Sequence, residues 1–196
     1  MRQYNILICG VGGQGIMTLG TLLLSAGMPQ GYRVIGAEYR GSAQRGGPIN
    51  STVRYEIFEG GDGSDERRFV YPGELPLGAA NLLIAVEAAE ALRNAFYLSR
   101  GATAVVNTYT IKPKTQARYP SVDELVAHLK ETTDRVYTFP ANQLSMERYG
   151  SYRMANAMLL GVALARSDLP VPRETIEGLL RSREEREALA LGFNGA

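Results

Sequence analysis

The residues best placed to do chemistry lie in two glycine-rich stretches. The first, Gly10-Val11-Gly12-Gly13-Gln14-Gly15, follows the apolar run Asn5-Ile6-Leu7-Ile8-Cys9 and precedes apolar residues at helical spacing (Ile16, Leu19, Leu22, Leu23, Ala26). Glycines at such a strand-to-helix turn let a ligand approach the backbone, and the helix N-terminus offers free N–H groups and the positive end of a dipole. The spacing satisfies G-x-G-x-x-G, and Glu38 stands where a dinucleotide fold puts its ribose-binding acid. The pattern therefore admits bound NAD or FAD, a bare tight turn, or a different ligand. Two features weigh against the dinucleotide: after Glu38 the chain enters a loop and another strand rather than a helix, and Gly13-Gln14 departs from a diphosphate cradle.

The second stretch is Arg40-Gly41-Ser42-Ala43-Gln44-Arg45-Gly46-Gly47-Pro48. It holds the Arg45 guanidinium on an extended backbone, which suits a carboxylate, a phosphate or a carbonyl-rich partner surface. A solvent loop whose glycines serve only the turn is the plainer alternative. Gly61-Asp62-Gly63 resembles the start of a thiamine-diphosphate motif, but no Asn-Asn pair follows and a hairpin turn accounts for it. The single cysteine, Cys9, reads as a buried thiol, and the single histidine, His128, as a surface or boundary residue. Their number excludes an internal disulfide, a multi-histidine metal site, and an iron–sulfur cluster held by this chain alone.

The elements that must position these loops alternate. Strands are expected at 5–9, 33–37, 50–58, 81–86, 103–107 and 135–139, with a short one at 68–71. Helices are expected at 16–28, 87–98, from the Ser121-Val122-Asp123-Glu124 capping box to about 132, after Pro140, at 152–167 and at 172–183. The mixed-charge tail Ser182–Glu187 reads as a solvated helix end. Met154 to Leu164 are apolar almost all round, which implies burial against the sheet and a partner subunit, with Asn156 capping a loop backbone. The fold class is therefore α/β, Rossmann-like, a mainly parallel sheet with helices on both faces and a helical C-terminus. Ligands gather at the carboxyl ends of such strands, so the two glycine loops should sit side by side at one rim.

The chain has 196 residues, 45% hydrophobic, with 21 basic against 20 acidic side chains and a net charge of +1. That size and balance fit one domain, residues 1–196, with no call for nucleic acid or a charged membrane as partner. No apolar run approaches the roughly 20 residues that span a bilayer, and no leader pattern precedes the first strand, so a cytoplasmic location is expected.

Taken together, Asn5 through Gly15-Ile16, Glu38 with Gln44-Arg45-Gly46-Gly47, Ser51-Thr52-Val53-Arg54-Tyr55 and Asn156-Ala157-Met158-Leu159-Leu160-Gly161 resemble the gamma-type domain of 2-oxoacid:ferredoxin oxidoreductases. The likeness covers nearly the whole chain and is strongest to the small subunits of the indolepyruvate type. It implies a share in the oxidative decarboxylation of a 2-oxo acid to an acyl-CoA, with electrons passing to ferredoxin. Thiamine diphosphate, magnesium and iron–sulfur clusters are then expected on a large partner subunit, this chain being inactive alone. Coenzyme A is a candidate neighbour. The resemblance carries Gly10, Gly12, Gly13, Gln14, Gly15, Gln44, Arg45, Gly46 and Gly47 over as the site rim, with no catalytic or metal-binding residue. At Tyr39-Arg40-Gly41-Ser42 the chain departs from the indolepyruvate pattern, where a histidine would precede the glycine, so the choice of 2-oxo acid stays open. A free-standing NAD- or FAD-binding protein is the rival reading.

Overall fold

A computed structural model of the chain describes residues 1–41, 46–58, 73–112 and 118–196. Gln44, Arg45, the Gly61-Asp62-Gly63 turn and the short strand at 68–71 lie outside the described residues.

The strand β1 (Arg2–Val11) shows why an unbroken apolar run is stable here. Successive side chains point to opposite faces, so Ile6 and Ile8 enter one core while Leu7 and Cys9 enter the other. With both faces covered, nothing selects polar residues between them. β1 leads through α1 (Ile16–Gly27) to β2 (Arg33–Arg40), which turns back into β3 (Pro48–Ile57). β4 (Ala80–Ala85), α2 (Ala88–Arg93), β5 (Leu98–Asn107), α3 (Val122–Leu129), β6 (Val136–Phe139) and α4 (Ala141–Tyr149) continue the alternation. α5 (Ala155–Arg166), α6 (Arg173–Leu179) and α7 (Arg183–Asn194) close the chain.

The strand order is β2-β3-β1-β4-β5-β6. β1, β4, β5 and β6 pair in parallel, whereas β3 runs antiparallel to both β1 and β2. Only β3 is reversed, and the sheet is mainly parallel as expected. The connection between β2 and β3 is too short for the dozen or so residues of a parallel crossover, so the pair forms a hairpin, closed by Gly41 N–H donating to Pro48 O at 2.9 Å. α1 and the C-terminal helices cover one face, and α2 and α3 the other.

Two sequence expectations need correction. The helix begun at Glu87 ends at Arg93 and passes through a short 3-10 turn at Ala95–Tyr97 into β5, which starts earlier than its apolar stretch suggested. The charged stretch Ser182–Glu187 is a helix end exposed at Arg183, Glu184, Arg186 and Glu187, as expected, but its Ser182/Glu185 capping box opens a further helix, α7, that buries Ala188, Leu189 and Gly192. α7 lies on α5 at backbone contact, since a Cβ on Gly192 would stand 1.9 Å from Met158 O and one on Gly161 2.1 Å from Leu189 O. The outer apolar side of α5 is thus covered by the chain's own C-terminus, not by another subunit.

Candidate functional site

β1, β4, β5 and β6 all end at one rim, where β3 begins. The first glycine loop is closed on itself there. Gln14 turns its side chain inward, so that Oε1 accepts from Val11 N–H at 2.7 Å, while Gln14 N–H donates to Val11 O at 3.1 Å. Gly10 lies under that amide: a Cβ there would meet Gln14 Oε1 at 2.7 Å. From α5, Asn156 Nδ2 donates to Gln14 O at 2.8 Å, the loop-capping role expected of it. Gly15 has φ +75°, and a Cβ on it would press on Asn156 Nδ2 at 2.7 Å, so conformation and packing both demand glycine. Gly13 is left exposed at the tip.

The second loop returns against the first. Gly12 N–H donates to Gly47 O at 2.9 Å. Gly47 is buried at this junction and Gly46 is exposed beside it. The side-by-side placement expected of the two loops is therefore present for Gly10, Gly12, Gly13, Gln14, Gly15, Gly46 and Gly47. The dinucleotide geometry is not. β3 stands between β1 and the edge strand β2, so Glu38 is two strands from the first loop, or roughly 9–10 Å across the sheet. Its carboxylate faces Arg40 at 3.4 Å instead. The N–H groups of Val11 and Gly12, which a diphosphate would need, already have partners in the chain.

Sequence reasoning missed what lies behind this rim. Glu87 and Glu90, at the start of α2, are 1% and 2% exposed. Glu87 caps the helix: Oε2 accepts from Glu90 N–H at 2.8 Å and Oε1 from Ile111 N–H at 3.0 Å. Burial pushes the Glu87 carboxyl above its usual range, against the pull of those two N–H groups. Glu90 Oε1 pairs closely with Arg93 at the surface. Below them Asn94 Nδ2 donates to Glu90 O at 2.8 Å, and Asn50 Nδ2 to Asn94 Oδ1 at 2.6 Å. Burial, followed by the charges of Glu90 and Glu87, holds the Cys9 thiol well above its ordinary pKa, so it is no nucleophile. His128 lies on the exposed side of α3 against Glu131.

A cleft of about 260 Å³ joins the two regions, lined by Val11, Gly46, Pro48, Glu87, Glu90 and Arg93 among others. The signal for it in the sequence is Glu87-x-x-Glu90 directly after a strand buried on both faces, where an acid must find N–H donors or leave an open acceptor. Among the described residues no three His, Cys, Asp or Glu side chains group to hold a metal ion, and no helix is long and apolar enough to cross a membrane. None of the described residues lining the cleft is a serine, threonine, cysteine or histidine. The arrangement can bind and orient.

Comparison with known proteins agrees with the family resemblance. The family described as pyruvate ferredoxin/flavodoxin oxidoreductase matches residues 5–193. A curated relative, indolepyruvate oxidoreductase subunit IorB of Archaeoglobus fulgidus, is 33% identical over 205 residues, covering 99% of this chain and 96% of that protein. In fold the chain is similar to the gamma subunit of keto/oxoacid ferredoxin oxidoreductase from Geobacter sulfurreducens (TM-score 0.67, 20% identity, 97% and 96% of the two chains). It is also similar to part of 2-oxoglutarate:ferredoxin oxidoreductase from Magnetococcus marinus (TM-score 0.65, 18% identity, 99% of this chain and 30% of that one), a structure with 2-oxoglutarate, coenzyme A and succinyl-CoA bound.

Proposed function

The chain belongs to the pyruvate ferredoxin/flavodoxin oxidoreductase family, and we propose that it is the small subunit of an indolepyruvate-type 2-oxoacid:ferredoxin oxidoreductase, a single domain over residues 1–196 working in the cytoplasm. The complex takes a 2-oxo acid and coenzyme A to an acyl-CoA and CO2, and passes two electrons to ferredoxin. The observation that carries this reading is the 33% identity to a curated relative of that name along 99% of the chain.

Thiamine diphosphate supplies carbanion stabilisation in such a reaction, with magnesium holding it and iron–sulfur clusters carrying the electrons. The residues of this chain do not fit those groups. It has one cysteine, and its described residues contain no metal-binding cluster. In this reading the cofactors belong to a large partner subunit. What this chain contributes is the rim: Gly10, Gly12, Gly13, Gln14 and Gly15 on one loop, and Gln44, Arg45, Gly46 and Gly47 on the other. The first loop is stiffened by its own hydrogen bonds. The second brings a guanidinium suited to a carboxylate of the substrate, or to an anionic or carbonyl-rich part of the neighbouring centre.

Affinity purification of the tagged chain from its native host should recover a larger, brown, cluster-bearing partner; a colourless lone protein would contradict the reading. In that complex Arg45→Ala should lower turnover by about 10- to 100-fold, the weight of one charge-assisted hydrogen bond, while the circular dichroism spectrum stays unchanged. Unaltered turnover would remove Arg45 from the site.

A further inference from the structure

Glu90 leaves something unfinished. Its Oε1 is paired with Arg93, but Oε2 is buried with no donor among the described residues, and Asn50 Oδ1 nearby is in the same condition. Glu90 is 2% exposed yet lines the cleft at the rim. A buried acceptor without a donor is costly, and a charged one more so. Glu87 cannot help, because both its oxygens are occupied by backbone N–H groups. The two carboxylates against one guanidinium leave the corner a net charge of −1 when ionised. The opening, about 260 Å³, falls below the roughly 300–1,000 Å³ of small-molecule sites but suits one long side chain.

We propose that this cleft is the socket for a single cationic side chain, a lysine or arginine of the partner subunit, whose N–H groups bond Glu90 Oε2 between Gly46–Pro48 and α2. The proposal rests on the reading that the rim faces a partner, and adds the chemistry of the anchor. Charge sign, the open acceptor and the narrow opening select a cation over an anion or an apolar group. Arginine at the centre of an interface is a common anchor.

The test is the affinity between separately prepared small and large subunits, measured for the unmodified chain and for Glu90→Gln. The amide can satisfy Arg93 only by aiming its own N–H donor into the cleft, where it opposes an incoming cation. Association should weaken by about tenfold or more, while the melting temperature of the free chain stays within roughly 3 °C, since the bond to Arg93 is kept without its charge and Arg93 is mostly exposed. Unchanged affinity, or a fall in melting temperature with unchanged affinity, overturns the socket and leaves the subunit reading standing. No association of the unmodified chain overturns both. Should Glu90→Gln fail to fold, a structure of the unmodified complex decides: a partner nitrogen within hydrogen-bond distance of Glu90 Oε2 supports the socket, and a cleft holding only water overturns it.

Discussion

The two halves of the rim handle buried polar groups in opposite ways. In the first glycine loop, Val11 N–H, Gly12 N–H, Gln14 N–H and Gln14 O all have partners inside the chain, two of them supplied by side chains of Gln14 and Asn156. Behind the same rim, Glu90 Oε2 and Asn50 Oδ1 have none among the described residues. A satisfied network specifies one conformation, whereas open acceptors wait for something to arrive. The first loop is therefore scaffold and the acidic corner receptor. The G-x-G-x-x-G pattern alone does not show this division: here Gly10 and Gly15 make room for the chain's own Gln14 and Asn156.

The sharpest way to break the scaffold is Gly15→Ala. A side chain at φ +75° costs about 1–2 kcal/mol, and displacing Asn156 from Gln14 O adds about as much. Melting should fall by roughly 5–15 °C, read by scanning calorimetry; a variant as stable as the parent would mean the loop is not held as described. Asn156→Ala removes only the cap, so a loss of about 1–2 kcal/mol is expected, a fall of roughly 3–6 °C.

The acidic corner should answer to pH instead. The Glu87 carboxyl is raised in the folded chain above the 4.5 it has when free. The folded state therefore binds the extra proton, and the stabilisation is present at low pH and is lost as pH rises from about 4.5 through the raised value. Glu124 runs the other way. Accepting from Ser121, it is lowered, so its contribution is lost only as pH falls below that range. Melting curves of the parent and Glu87→Gln between pH 4.5 and 8 should draw apart as pH rises, the parent losing ground; parallel curves would show that Glu87 does not titrate in that window. Smallest of all, Glu38→Ala should change stability by less than about 0.5 kcal/mol and leave turnover of the complex unaltered. Loss of NADH or FAD binding on that substitution would restore the dinucleotide reading.

Much of this was legible in the residues. Hydrophobic runs located the strands because both faces of the sheet are buried, and strand-end logic put the two loops together, as Gly12 N–H on Gly47 O shows. Strand direction was harder, because it is not written in periodicity. The reversal of β3 could have been read from the few residues between Arg40 and Pro48, and it is what carries Glu38 away from the first loop. α7 is harder to read because its first turn, within Ser182–Glu187, is charged and exposed, while the residues that pack it, Ala188, Leu189 and Gly192, come one turn later. The acidic corner stayed hidden since Glu87 and Glu90 look like ordinary first-turn acids. Their burial is a property of the strands around them.

On the proposed reading, the rim completes a reaction housed on another chain. That role is tested by 2-oxo-acid-dependent ferredoxin reduction, with coenzyme A present, for the small chain alone, the large subunit alone and the two mixed. Turnover is expected from the mixture and essentially none from the small chain. Sustained reduction by the small chain alone, or full activity of the large subunit without it, would rule out that role for the rim.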